Sequence, residues 1–303
     1  MPSITSANAA QAIVKFVAAQ GLPPLVGNLV MGNLVNRDFE PTLASAGDSV
    51  NIPIPPIMVR NNIAEVGSVI TQNPSLGNAQ VVLNMHAEAS FAIPDVSAAL
   101  VGAERGDMGL MNKYMMPAII AVAEGIETDL LSLYTNLNAL TPVGTGNTAL
   151  TEDTIDRAER ALFDAKVPQG VRKSLVVSSQ AYSDLRQISR FTEARTVGDG
   201  GPIVNGKVGN IKDFDVYRSQ FVPRPSTTTF NMAFAPDALA LVMRRLPQPL
   251  PGTGAIAEYS ELGNFGVRIV MSYQPDTLAQ QFTVDCLSGC AVLRNTFGVQ
   301  VLS

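Results

Sequence analysis

A run of apolar residues at three- and four-residue steps between Asp107 and Ala139 constrains this chain more than any other feature. Met108, Met111, Met115, Ile119, Val122, Ile126, Leu130, Leu133 and Leu137 recur at those steps, which places them on one face of a helix. Glu124, Glu127 and Asp129 fall largely off that face and read as solvated charges. At ~1.5 Å per residue the spacing predicts a helix roughly 45–50 Å long, with Pro117 kinking it or marking a second start. A methionine stripe at this spacing reads as core rather than as a cofactor or peptide groove.

Upstream, Ser6 or Asn8 can cap a short helix whose apolar face is Ala9, Ile13, Phe16 and Val17, stopped by Gly21 and Pro23-Pro24. A helix of that length is marginal alone and must lie on something. Ser49 to Pro53 alternates as a strand, and the prolines at 53, 55 and 56 put it at or near a sheet edge. Val59–Val69 and Ala79–Glu88 then read as two strands of a long excursion that needs a packing partner.

After Thr141 helix and strand alternate. Thr151 caps a helix carrying Ile155, Ala158, Leu162 and Ala165 on one face; Ser174–Ser178 is a strand; Ser179 opens a second helix. Phe214–Phe221 and Thr228–Phe234 read as strands, and Pro236 starts a predicted helix ending near Arg245. A Pro- and Gly-rich bridge at 247–254 precedes a strand-like tail: Gly266–Ser272, Ala279–Leu287 and Ala291–Val301.

Composition narrows the function. Charged residues make up 16% of the chain, against about 25% in an ordinary soluble domain, so either partners cover apolar surface or one large core absorbs it. A net charge of −5 with no basic run argues against an electrostatic grip on nucleic acid. The first 20 residues do not read as a secretory leader, and the longest apolar stretch, 115–123, is broken by Pro117 and too short to span a membrane. Cys286 and Cys290 are the only cysteines and form neither a disulfide framework nor a zinc site.

The search for chemistry ends without an active site. His86 is the only histidine and sits in a predicted strand, where a lone imidazole is usually structural. Gly198-Asp199-Gly200-Gly201-Pro202 has glycine where a nucleophilic serine would stand, and Pro251-Gly252-Thr253-Gly254-Ala255 has no lysine after it. The pairs Glu124/Glu127 and Glu152/Asp153 lie on helices, and Glu258/Glu261 in a predicted loop, where surface charge explains them. We therefore expect no enzyme activity, no catalytic or metal site and no cofactor.

The order of these features carries a resemblance. Asn33-Leu34-Val35-Asn36-Arg37-Asp38-Phe39-Glu40, followed by Ala46-Gly47-Asp48-Ser49-Val50-Asn51-Ile52-Pro53, resembles the opening of the major capsid proteins grouped with the coat protein of podovirus-type Salmonella phage. Met116-Pro117-Ala118 through Ala123-Glu124-Gly125-Ile126-Glu127-Thr128-Asp129-Leu130-Leu131 is similar to the spine helix of that family. Val167-Pro168, Leu175-Val176-Val177-Ser178 and Asp213-Phe214-Asp215-Val216-Tyr217 are similar to its apical domain.

The resemblance implies an α+β chain with the Hong Kong phage-type major capsid fold. It implies an N-terminal arm at 1–38 and an extended β-hairpin loop at 51–90. The peripheral domain is expected at 39–50, 91–140 and 255–303, with the spine helix at about 107–139, and an α/β apical domain at 141–254. The implied function is self-assembly, as pentamers and hexamers, into an icosahedral virion shell around double-stranded DNA, inside the host bacterial cytoplasm. Implied partners are further copies of the chain, a separate scaffolding protein, a portal protein and, optionally, a decoration protein; DNA contact is weak and non-specific, and no membrane is involved. The large inserted domain of the Salmonella phage protein has no room between Thr192 and Val222. Lys15, Lys113 and Asn295 show nothing that favours covalent cross-linking. Arg37, Arg60 and Arg105 are the expected inter-subunit contact charges, because arginine suits planar multidentate pairing. The competing readings are an encapsulin-type compartment, a cytoplasmic α/β enzyme, and a decoration or tail-tube subunit.

Overall fold

A computed structural model of the chain describes residues 30–39, 49–56, 58–63, 68–69, 71–95, 108–138, 141–188, 209–244, 246–250, 254–262 and 265–303. The predicted helix around residues 6–20, residues 197–208 of the Gly-rich loop read at 197–213, and Arg105 lie outside them, while the end of that loop holds a short strand at Asn210–Ile211. The long apolar run forms one helix, α1 (Met108–Ser132), which continues through Pro117. It ends earlier than its periodicity suggests, passing into a 3-10 turn at Leu133–Asn136. Met115, Ile119, Val122, Ile126 and Leu130 are all buried, as the stripe predicts.

The face of α1 lies on a five-stranded sheet whose central strand is β11 (Ala279–Val292). On one side β11 pairs antiparallel with β3 (Met85–Pro94); on the other it pairs first with β10 (Phe265–Gln274), which pairs with β9 (Ile256–Leu262), and further along with β8 (Leu239–Arg244). Phe91 of β3 stacks on Phe282 of β11 at 5.3 Å and meets Tyr114 of α1 at 5.7 Å, so the aromatic contact bolts helix to sheet.

The second sheet has the order β12-β7-β4-β6-β5. It comprises β4 (Lys173–Val177), β5 (Asn210–Ile211), β6 (Phe214–Arg218), β7 (Phe230–Phe234) and β12 (Gly298–Leu302). Only β4 and β6 run parallel. The link between those two carries α3 (Ser179–Gln187), while α2 (Glu152–Asp164) precedes β4. Thr151 caps α2 by accepting from the Thr154 N–H, and Ser178 caps α3 by accepting from the Ala181 N–H. Fully buried Asn231 joins three segments: its Oδ1 accepts from the Ser178 N–H, and its Nδ2 donates to the Val301 carbonyl and the Ser303 hydroxyl.

Several sequence expectations are corrected. The hairpin strands are β1 (Ser49–Ile54) and β2 (Gly77–Val82), in register from Ser49↔Val82 to Ile54↔Gly77. The described part of 59–69 is not a strand, because Pro55-Pro56 ends pairing and β1 takes the partner role. The stretch 79–88 divides at Leu83-Asn84 between two sheets. Pro236 starts only a 3-10 turn, after which Leu239–Arg244 is a strand, so Arg244 closes a strand rather than a helix. A short, fully apolar run cannot be told from a buried helix by periodicity alone. Glu258 and Glu261 stand on β9, not in a loop. The strand expected from Ala291 begins only at Gly298, because β11 runs on to Val292. Finally, residues 239–244 fall in the segment expected to be apical and 298–302 in the expected peripheral tail, yet β8 pairs with β11 and β12 with β7. Each sheet borrows a strand from the other's stretch of sequence.

Candidate assembly surface

The β1–β2 pair is a two-stranded ribbon with no third strand among the described residues. Its base is anchored: Ala79, Val81 and Leu83 form a small buried cluster with Ala240 and Val242 of β8 and Leu287 and Leu293 at the end of β11. There β11 carries Gly289, where an added Cβ would stand 2.2 Å from the Val82 carbonyl oxygen. Beyond the base the ribbon is not packed in this way. Between its strands, Met58, Val59, Ile63, Val69 and Leu76 are 51–77% exposed. Such a concentration of large apolar side chains on one excursion marks an interaction surface. Gln72 accepts from the Val59 N–H and donates to its carbonyl, holding the two limbs together.

Beside the ribbon base lies an open groove of about 780 Å³ between β2, the end of α1 and the end of β11. Its walls alternate amides (Asn78, Gln80, Asn138) with apolar side chains (Ile54, Leu133, Val292).

The charged side chains in the interior are paired or bonded. Asp285 accepts from Arg268 Nε at 2.9 Å and lies 3.1 Å from His86 Nε2; the Arg268–Asp285 contact raises the arginine pKa. His86 is itself half exposed and stands on β3 as a sheet-face residue. Lys173, almost fully buried, reaches Asp213 at 3.0 Å. Glu127, expected to be solvated, is buried: its Oε2 accepts from the Met31 N–H at 3.0 Å and its Oε1 from the Ser219 hydroxyl at 2.9 Å. Burial pushes its pKa up, and the bonds from Met31, Ser219 and Val30 partly offset that. The sequence did carry the signal, since Glu127 lies four residues from Ala123 and from Leu131, both buried.

Of the expected contact arginines, Arg37 and Arg60 lie among the described residues and Arg105 does not. Arg37 is half-buried beside Asn36, whose backbone bridges to β8, whereas Arg60 is exposed in the excursion between β1 and β2. Among the described residues no three His, Cys, Asp or Glu side chains converge as metal ligands. No helix among them is long and apolar enough to cross a membrane.

Residues 103–273, more than half the chain, match the family model described as phage capsid protein. This chain belongs to the phage capsid protein family. The match takes in α1, both α/β helices and every strand from β4 to β9. Solved structures agree in fold. A structure of Mycobacterium phage Che8 superposes with a TM-score of 0.66 at 20% identity, covering 90% of each chain. The capsid of cyanophage P-SCSP1u gives 0.57 at 14% identity, covering 85% of this chain and 84% of that one. An encapsulin from Synechococcus elongatus gives 0.52 at 15% identity, covering 86% and 83%. No curated protein matches the sequence. The chain thus has the α+β Hong Kong phage-type capsid fold and is a structural, shell-forming major capsid protein.

Proposed function

We propose that the chain assembles as pentamers and hexamers into the icosahedral shell of a tailed phage, enclosing double-stranded DNA. The observation that carries this reading is the ribbon: five large apolar residues stand exposed on an excursion anchored only at its base. A neighbouring copy that covers them removes that surface from water, and closed repetition of one such contact gives a shell. We divide the chain into an arm at 1–38, an extended loop at 51–90, a peripheral region at 39–50, 91–140 and 255–303, and an apical region at 141–254, with β8 and β12 crossing that division. A separate scaffolding protein, a portal and an optional decoration protein complete the particle, which is assembled in the host cytoplasm. The net charge of −5 suits a wall along which DNA slides, without a tight grip. No catalytic activity is assigned to the chain.

Negative-stain electron microscopy of the protein expressed alone, and with a candidate scaffolding protein, tests this. Closed shells, or irregular shells made uniform by the scaffold, support it; a stable monomer or dimer under both conditions overturns it. The encapsulin match favours one second reading, a protein-loaded compartment. Scaffold-independent shells filled with host enzyme would select it. Arg37→Ala, Arg60→Ala and Arg105→Ala, made singly, should reduce shell yield while leaving subunit folding intact.

A further inference from the structure

Glu127 is a buried carboxylate that joins three segments far apart in sequence through neutral donors. It stands on α1, takes the N–H of Met31 at the start of the 3-10 turn Met31–Asn33, and takes the hydroxyl of Ser219 just beyond β6. That 3-10 turn has no side-chain cap of its own, so Glu127 supplies from another element the acceptor that its first N–H groups need. The segment it holds is well seated, with Met31, Leu34 and Val35 all buried.

The charge is the unusual part. On α1 itself, Glu124 is exposed and Asp129 adds further negative charge. Arg37 and Asp38 follow the 3-10 turn, and Arg218, before Ser219, lies over the Tyr182 ring. On the sheet beneath, Asp285 is held by Arg268 and Glu88 is exposed. None of these groups pairs with Glu127, whose partners are the neutral donors of Val30, Met31 and Ser219. A buried anion without a counter-cation is costly. A neutral carboxyl loses no bond here. Its O–H can donate to Ser219 Oγ while its other oxygen still accepts from Met31, and Ser219 Oγ already serves as acceptor for the Phe221 N–H.

We propose that Glu127 is a proton-controlled clamp on the N-terminal segment, closed when the carboxyl is protonated and loosened when it ionises. The direction follows from linkage. Docking buries the carboxyl and raises its pKa, whereas undocking returns it to water and to its ordinary value. The docked form therefore binds the proton more tightly, and docking weakens as pH rises through the docked pKa. Through Ser219 the same proton also bears on the turn just beyond β6.

Hydrogen exchange of the full-length subunit reads this without any shell forming, so it stands or falls separately from the assembly reading. In the wild type, protection of the amides of Met31–Val35, corrected for intrinsic rate, should fall severalfold between about pH 5 and about pH 8. Amides of the β4 core, Leu175–Val177, should not change over that range. Glu127→Gln mimics the neutral carboxyl and should keep residues 31–35 protected at both pH values. Glu127→Ala, which leaves the Met31 N–H unpaired, should expose them at both. A wild-type profile that is flat at 31–35, or a Glu127→Gln profile as steep as the wild type, overturns the clamp.

Discussion

Gly289→Ala is the smallest change that should separate the ribbon from the body of the subunit. Gly289 lies opposite Val242 of β8, and the chain leaving β2 crosses directly over it. An alanine Cβ would stand 2.2 Å from the Val82 carbonyl oxygen, 2.9 Å from its carbon and 3.3 Å from Leu83 Cα. Carbon and oxygen approach no closer than about 3.3 Å, so the two backbones must part by about 1 Å. Neither can swing away as a side chain would. A gap of ~0.5–1 Å forfeits a quarter to a half of the dispersion attraction across it. The contacts affected are those of Val81 and Leu83 with Ala240, Val242 and Leu287, all buried. Overpacking of this kind costs ~1–3 kcal/mol, and two rigid backbones place it at the upper end, about 3 kcal/mol. Gly125→Ala is the matched control. It lies inside α1 with nothing within 4 Å of the added Cβ, and should stabilise by about 0.5–1 kcal/mol. Urea unfolding of the purified subunits measures both. A Gly289→Ala protein within about 0.5 kcal/mol of wild type would refute the close-packing argument.

The turn between β5 and β6 offers a second contrast, because Lys212 (φ 45°) and Asp213 (φ 73°) both occupy the left-handed region. Lys212→Gly removes ~1–2 kcal/mol of backbone strain and loses only partly exposed ion pairs to Glu152 and Asp156, so the fold should hold or gain about 1 kcal/mol. Asp213→Gly relieves similar strain but strands the buried Lys173 ammonium, and should cost about 2 kcal/mol net; equal effects in urea unfolding would contradict this. The thiols give a pH-linked test. Burial pushes Cys286 up to about 12 and Cys290 up to about 11, from 9.0. At about pH 8 the folded chain should react with iodoacetamide about a hundredfold more slowly than the urea-unfolded chain. The folded thiols hold their protons more tightly, so this contribution to stability is complete below about pH 9 and declines as pH rises toward the folded values. Matching alkylation rates in the two states would show the cysteines to be accessible.

What was legible in the sequence was whatever has a local cause. The stripe from Met115 to Leu130 specified α1, and Thr151 set the start of α2 through its own hydroxyl. Ser179 opens α3 as its sequence suggests, with Ser178 as the cap. Strand pairing has no such local cause. Ser49–Ile54 and the stretch after Val59 both read as strand, and only the closure with Gly77–Val82 decides between them. Leu239–Arg244 is apolar at every position but the last, so its strand state is set by β11 beside it. The charge of Glu127 alone suggests a solvated position, whereas its phase, four residues from buried Ala123 and Leu131, turns it inward.

The exchanged strands bear on how such a subunit carries load. The chain passes between the two sheets through two short links, 235–238 from β7 to β8 and 293–297 from β11 to β12, which hold the sheets close. The sheets and α1 therefore behave as one body, further tied by Asn231 to the C-terminus and by Glu127 to the N-terminal segment. The ribbon has none of these ties. A two-stranded ribbon is marginal by itself, so its direction is set by its buried base and by whatever covers its apolar tip. A change at the base alters where the tip points without touching the tip. For that reason Gly289→Ala should reduce closed-shell yield more than its loss of subunit stability alone would, and assembly scored at equal folded fraction is the measurement that separates the two effects.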